Sequence, residues 1–417
     1  MPFARSRLLL LLTPLLLWES LAAMEWDHPE PFRRERLLGR DFDYNAESFI
    51  NRLSFEPQPF LYQRQQRQVD RGIDGTAGST RGAELYVRSA LRLRADTREP
   101  LFIFAEHHRR EDDDGRYDSF LIGGGWRFGD MEVSLAGDVQ AAKENVDLQL
   151  RFDYRPEDGS SRLTLTLIAV DQPFNEKQDG GLYETSPYTV HLFAEQYLFH
   201  DLWLQAFAAV NTPMRLEQGI EEDWYILSDD QQVSGGLGMS WQPAGSWRAQ
   251  WALSGRYGTR HTWASADAPS IGLPPQQRLR RWQGQFVAEL IYSCQDTRQQ
   301  SWLGWRSLLW HEYDRRPPGV EGGSEQTREE HTLIIGHRRP LYRRFDLAVT
   351  TFLAYHEVIL DRDDDDDKRD YGFYGKLAPV IEYRLRRDAG GVVSLSPNFR
   401  LHRAAFGGGN IQLSVPF

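Results

Sequence analysis

Apolar and polar residues alternate one for one along most of the chain beyond residue 83. The cleanest stretch is Asn145 to Arg155. There Val146, Leu148, Leu150, Phe152 and Tyr154 oppose Asp147, Gln149, Arg151, Asp153 and Arg155. The same period runs through Leu85–Arg94, Met131–Ala136, Trp247–Tyr257, Trp282–Tyr292, Phe345–Tyr355 and Leu377–Leu385. A period of two predicts strands with one apolar and one polar face; a helix would need apolar residues three and four apart. Seventeen segments follow this pattern, at about 83–95, 100–109, 117–128, 131–140, 145–155, 162–170, 187–199, 202–211, 231–243, 246–257, 280–293, 299–313, 330–338, 342–356, 371–387, 390–403 and 408–417.

The connections alternate too. Short turns are expected at Phe128–Asp130, Phe199–Asp201, Pro243–Ser246, Gln295–Arg298, Arg339–Pro340 and Asp388–Gly390. Long polar loops are expected at Asp171–Pro187, Asn211–Asp230, Gly258–Gln277, Asp314–Glu329 and Glu357–Asp370. Transmembrane β-barrels place short turns on the periplasmic side and long loops outside. Counting back from a last strand that runs down to the periplasm puts every long loop outside. The first segment then runs downward and needs an upward strand before it, for which Phe60 to Val69 is the candidate. The expected fold is therefore all-β: one transmembrane antiparallel barrel over 59–417, with eighteen strands as the best count and sixteen as the alternative.

Both ends of the chain fit this reading. Ile411, Leu413, Val415 and Phe417 alternate with Asn410, Gln412, Ser414 and Pro416. A last strand ending in Phe resembles that of bacterial outer-membrane barrels, and the resemblance implies that Phe417 is an assembly signal read by the barrel-insertion machinery. At the other end, Arg5 and Arg7 precede the apolar run Leu8–Trp18, and Ser20-Leu21-Ala22 offers small residues for cleavage. Residues 1–22 thus read as a signal peptide, too short to span a membrane as a helix. Its removal takes away two Arg and one Glu, moving the net charge from −11 to −12. Mean hydropathy is low, at −0.57. A barrel tolerates that, because only every second residue meets lipid. Cys294 is the only cysteine, so no internal disulfide is possible.

Residues 23–58 precede the barrel as a periplasmic lead-in or a plug. Ala46, Phe49, Ile50 and Leu53 have helical spacing behind Asn45, which predicts a short capped helix. No 34-residue helical repeat stands upstream, unlike the exopolysaccharide exporters that carry one. Trp126, Phe128, Trp241, Trp247, Tyr257, Trp282 and Tyr292 lie near strand ends on the apolar face and read as membrane-interface girdles.

The polar faces then line the lumen. Arg88, Arg92, Arg94, Arg151, Arg155 and Arg384 stand there with Asp147, Asp153, Glu289 and Glu382. Mixed charges can pair and fill the interior, or line a wet path and orient polar solutes. Tyr86, Phe102, Phe104, Phe193, Trp203, Phe207 and Trp302 add aromatic rings to the same face. Rings beside hydrogen-bonding groups resemble the lining of sugar-selective porins, although they also serve as fillers.

No catalytic constellation appears: GxSxG, HExxH, phosphate-binding and dinucleotide-binding loops are all missing. The aspartates at 361 and 363–367 do not have calcium-loop spacing, so no metal site or cofactor is expected. The acidic balance argues against nucleic acid. Over 60–417 the chain resembles porins at the level of the class. The implied role is an outer-membrane channel passing polar solutes, with saccharides among them. Export or anchoring of a surface polysaccharide or protein is a first alternative, and an enzyme acting on lipid or lipopolysaccharide a second. Expected partners are outer-membrane lipid and lipopolysaccharide, the insertion machinery, and a small polar solute or a polysaccharide.

Overall fold

A computed structural model describes residues 72–416 apart from connections at 80–84, 97–99, 113–114, 140–147, 170–181, 186–187, 200, 212–213, 222–223, 265–275, 295–296, 316–322, 363–364, 386–390 and 402–404. The signal segment, the 23–58 lead-in with its expected helix, Asp147, the Asp388–Gly390 turn and Phe417 lie outside the described residues.

The described chain is all strand and turn. The first ten strands are β1 (Gly72–Ser79), β2 (Leu85–Asp96), β3 (Leu101–Asp112), β4 (Gly115–Phe128), β5 (Met131–Asp138), β6 (Leu148–Tyr154), β7 (Ser161–Ala169), β8 (Leu182–Thr185), β9 (Tyr188–Tyr197) and β10 (Leu202–Asn211). The remaining ten are β11 (Met214–Glu221), β12 (Trp224–Ala244), β13 (Trp247–Ala264), β14 (Gln276–Cys294), β15 (Gln299–Arg315), β16 (Ser324–Tyr342), β17 (Phe345–Arg362), β18 (Asp365–Arg384), β19 (Val392–Arg400) and β20 (Ala405–Pro416). All form one antiparallel sheet, mostly between sequence neighbours.

Two staves are interrupted. β9 pairs with β10, and β8 pairs with β11. β10 and then β11 pair with successive parts of β12. β8–β9 and β10–β11 are therefore each one strand broken by two residues. The pairing order also returns to its start: β1 pairs with β2 on one side and with β20 on the other. Among the described residues each stave therefore has a neighbour on both sides, as a sheet inside lipid requires.

The strand that pairs with β2 ahead of it is β1, and the Phe60–Val69 stretch that the sequence suggested lies outside the described residues. Gly72-Ile73-Asp74-Gly75-Thr76-Ala77-Gly78-Ser79 holds three glycines and one large apolar residue, so its alternation has no contrast to read. Backbone pairing to both neighbours holds it.

The expected long loops are also corrected. β12 begins at Trp224, β13 runs to Ala264, β14 starts at Gln276, and β17 and β18 leave only residues 363–364 between them. Much of the described part of these polar stretches is therefore strand that extends past the apolar zone, where both faces can be polar. At the other rim the turns are tight. Gly129, Asp201, Gly245, Arg298 and Arg343 all have positive φ there. The expected turn at Arg339–Pro340 instead lies at Arg343 and Arg344: β16 continues through Pro340, which pairs with Asp346 beside a bulge.

The two faces of the sheet are inverted relative to a soluble protein. Leu135, Leu253, Ile335, Leu353, Leu395 and Ile411 are exposed, whereas Gln250, Glu289, Arg328, Glu330, Lys376 and Asn398 are buried. Exposed rings mark two levels on the apolar face. Trp247 packs on Tyr292 at one level, and ten residues on Tyr257 stands opposite Trp282. Phe345 and Tyr383 repeat the lower level, and ten residues on Tyr355 meets Phe373. At ~3.4 Å per residue and a tilt of ~40°, ten residues rise about 26 Å, close to the roughly 25 Å apolar band of such barrels. An apolar outer band between aromatic levels, a polar interior and a sheet without edges place the protein in the outer membrane.

Candidate functional site

The inner face is built from charged clusters, some within one strand and others reaching across several. On β2, Arg94 reaches Glu132 of β5 through two hydrogen bonds, at 3.1 and 2.9 Å, and Arg127 of β4 reaches the same carboxylate at 2.8 Å. The Arg94 guanidinium also lies 3.9 Å above the Phe102 ring. On β6, Arg151 contacts Asp153 at 2.6 Å, and Asp153 also accepts from Thr164 of β7. Arg162 stands 3.7 Å away, and Arg155, at the strand end, 3.8 Å.

On the opposite part of the sheet Gln250 donates to Glu289 and Arg281 to Glu312. Arg328 donates to Glu330 at 2.8 Å, both almost wholly buried. Asp346 and Glu382 face each other across the β17–β18 ladder. Arg338 bonds to both, and Arg384 bonds to Asp346. A buried charge is costly unless it is paired, and these pairs meet that requirement. In these clusters nine arginines (Arg94, Arg127, Arg151, Arg155, Arg162, Arg281, Arg328, Arg338 and Arg384) stand with seven carboxylates (Glu132, Asp153, Glu289, Glu312, Glu330, Asp346 and Glu382).

The aromatic residues lie flat on the wall. Phe102 and Phe104 cross to Gly125 and Gly123, Phe207 to Gly236, and Trp302 to Gly336. A Cβ on Gly125 would fall 2.3 Å from Phe102, and one on Gly236 2.4 Å from Phe207. The glycines make the space that these rings fill. Phe193 is buried with Arg162 5.3 Å over its ring, and Trp203 meets Tyr197 edge-on at 5.2 Å. Little ring face is left open at Phe102, Phe193, Phe207 or Trp302.

Tyr86, Arg88 and Arg92 fall on β2 at the same parity as Arg94. The sequence reading did not single out Arg328, Glu330, Arg338 or Asp346. Around Arg328 and Glu330 both faces are polar: Glu325, Thr327, Glu329 and His331 alternate with Gln326, Arg328, Glu330 and Thr332. The period carries no contrast there. Among the described residues no group of three or more His, Cys, Asp or Glu is placed to hold a metal ion.

No protein-family model and no curated protein matches the chain. Solved structures do. OccK2 of Pseudomonas aeruginosa is similar at 14% identity and a TM-score of 0.41, over 83% of this chain and 97% of that one. A bacterial polysaccharide outer membrane secretin is similar at 12% and 0.39, over 84% and 99%. OmpT of Vibrio cholerae is similar at 9% and 0.38, over 82% and 94%. Similarity at this level fixes neither solute nor role.

Proposed function

We propose that the protein is an eighteen-stave transmembrane barrel that passes small polar solutes, with a preference for anions. β8 and β11 continue β9 and β10, so the twenty strands make eighteen staves. The long hairpins are taken as external and the tight turns as periplasmic. The observation that carries the reading is the inner face: charge clusters from β2 to β18, with cations in excess. Charges that line a path set its ion preference. Close cover of these side chains favours a narrow path. The wall-packed rings offer few faces on which a sugar could stack, so saccharides would depend on hydrogen-bonding groups. Single-channel recording in planar bilayers tests this. Conductance with a reversal potential on the anion side of a KCl gradient is expected. A silent bilayer, or strong cation preference, would sink the reading and leave export or anchoring of a surface polymer as the better account.

One observation favours a second reading. Ser307 Oγ and His331 Nδ1 are hydrogen-bonded at 3.0 Å on the apolar outer face, level with Tyr355. Trp305 stacks on the His331 ring and donates to Ser307. A serine and histidine at the lipid interface are the minimum for acyl hydrolysis. The similar pair Ser301–His337, 2.9 Å apart near the other rim, speaks for a plain polar contact instead. Release of fatty acid from phospholipid vesicles that is lost in Ser307→Ala would establish the hydrolase; equal release by both would exclude it.

A further inference from the structure

The inner face of the wall is covered unevenly. On β17 the inner positions, every second residue from Asp346 to Leu360, are all buried. Glu330 and Ile334 beside them on β16, Ala378 and Val380 on β18, and Glu289 and Ile291 on β14 are buried as well. On β2 to β4 the inner positions Arg94, Phe104, Glu106 and Leu121 are only part-buried. At ~4.8 Å between staves and a tilt of ~40°, the eighteen staves proposed above enclose an interior about 36 Å across. Side chains on one wall do not reach the other over that width, and a barrel of this size leaves an open lumen. Neighbours can shade a small group such as Ala378, but Ile291, Trp302, Ile334 and Phe352 are large and are buried themselves. Cover for β14 to β18 has to come from within the lumen.

The covered area also differs in chemistry. Ile291, Trp302, Ile334, Ala348, Phe352 and Val380 form an apolar patch on a face otherwise built of charge. Its place along the barrel axis is defined. Ile291 is three residues from the end of β14 at Cys294, Trp302 three from the start of β15 at Gln299, and Ala348 three from the start of β17 at Phe345. The patch therefore lies near the rim of tight turns. The chain ahead of the barrel enters at that same rim, because Gly72 at the start of β1 pairs with Pro416 and with Arg92, four residues from the end of β2. Residues 54–71, fully extended, span up to about 60 Å, more than the width of the interior. Just before them Ala46, Phe49, Ile50 and Leu53 stand at helical spacing behind Asn45. A helical stripe from Ala46 to Leu53 is about 10 Å long, similar to the ~13 Å that Ala348 to Phe352 covers along β17.

We propose that the segment ahead of β1 turns back into the barrel as a plug, with Ala46, Phe49, Ile50 and Leu53 docked on the apolar patch of β14 to β18. The stripe and the patch then remove each other from water, which neither can do alone. The segment enters at the rim beside which the patch lies, so it reaches its site without crossing the length of the barrel. It occupies one side of the lumen. The path for polar solutes is left along β2 to β4, where the inner side chains stay part-open. The docking rests on the closed eighteen-stave barrel and not on conduction through it.

The test links segment to wall in the full chain, in a Cys294→Ser background. Ile50→Cys is combined with Ala348→Cys in the patch or, as a control, with Leu121→Cys on the inner face of β4. On oxidation of the folded barrel in outer membranes, the 50–348 disulfide should form about tenfold faster than the 50–121 disulfide or better, since docking of even one large apolar side chain is worth that factor. Equal rates, or a faster 50–121 linkage, would overturn the docking. A linkage between two chains, seen as a dimer band, would assign the cover to a second copy and overturn it too. A second measure keeps the segment but removes its stripe: Phe49→Ser with Ile50→Ser and Leu53→Ser. In that variant a membrane-impermeant maleimide should label Ala348→Cys at least about tenfold faster than in the parent. The heat-dependent mobility shift shows that the barrel is folded. Unchanged labelling in a folded barrel would overturn the docking. Labelling that rises only on removal of lipid, in parent and variant alike, would assign the cover to lipid and overturn it as well. A 50–348 linkage in a barrel that never conducts would keep the plug and remove the channel reading.

Discussion

Trp302 lies against Gly336 across the β15–β16 ladder, so closely that a Cβ on the glycine would sit 1.9 Å from the indole. The ring also borders the buried apolar cluster of Ile291, Ile334, Ala348, Phe352, Ala378 and Val380 on the inner face. It holds the wall together as a filler whose space a cross-strand glycine provides. Gly336→Ala should therefore push the indole off its site and cost about 1–3 kcal/mol, as overpacking does. Urea titration of the detergent-folded barrel measures this. Pairing Gly336→Ala with Trp302→Leu should recover part of the loss. A single Gly336→Ala variant as stable as the parent would mean the ring is not seated there.

Arg338 is the common partner of Asp346 and Glu382. Arg338→Met should leave two buried carboxylates facing each other and cost roughly 3–5 kcal/mol, the range for breaking a buried pair. Arg338→Met with Glu382→Gln removes one of the facing charges and should regain much of that. The double-mutant cycle reads the coupling directly. An additive cycle would show that Arg338 and Glu382 act independently.

How much of this was open to sequence reading depended on contrast between faces. Where lipid meets one face and charge the other, as in Leu148–Tyr154 or Trp247–Tyr257, a period of two was enough to place the strand and the outward residues. β1 failed this test because glycines fill it. The extended parts of β12 to β18 failed because both their faces are polar beyond the apolar band, so strand looked like loop. The partners of each charge were not legible at all. Arg94 and Glu132 are 38 residues apart, and only the ladder register brings them together. Aromatic–glycine contacts are set by the same register, although the alternating glycines at Gly123 and Gly125 were a visible half of the pattern.

The hairpin between β17 and β18 should be external. An epitope inserted between Asp363 and Asp364 is expected to be reached by antibody on whole cells. One inserted after Gly245, in a tight turn of the opposite rim, should be reached only after the outer membrane is opened. The reverse labelling would invert the assigned orientation of every stave.

The last prediction separates the two faces of β6. Leu150 stands on the outward side, level with Leu135 of β5, which is exposed on the apolar face. An Arg placed there would meet hydrocarbon, at a cost of about 2–4 kcal/mol near the midplane. Leu150→Arg should therefore reduce the yield of folded barrel, seen as loss of the heat-dependent mobility shift on gels. Arg151 faces inward and holds Asp153, which also has Thr164 as a hydrogen-bond donor and Arg162 nearby. With those groups left in place, Arg151→Ala should fold, with a smaller loss of stability than Leu150→Arg. It also removes one positive charge from the inner face, so its reversal potential in a KCl gradient should move toward cations. If Leu150→Arg folds normally while Arg151→Ala does not, the faces of β6 are assigned the wrong way round. If both fold and the reversal potential stays where it was, the path of the ions does not pass β6.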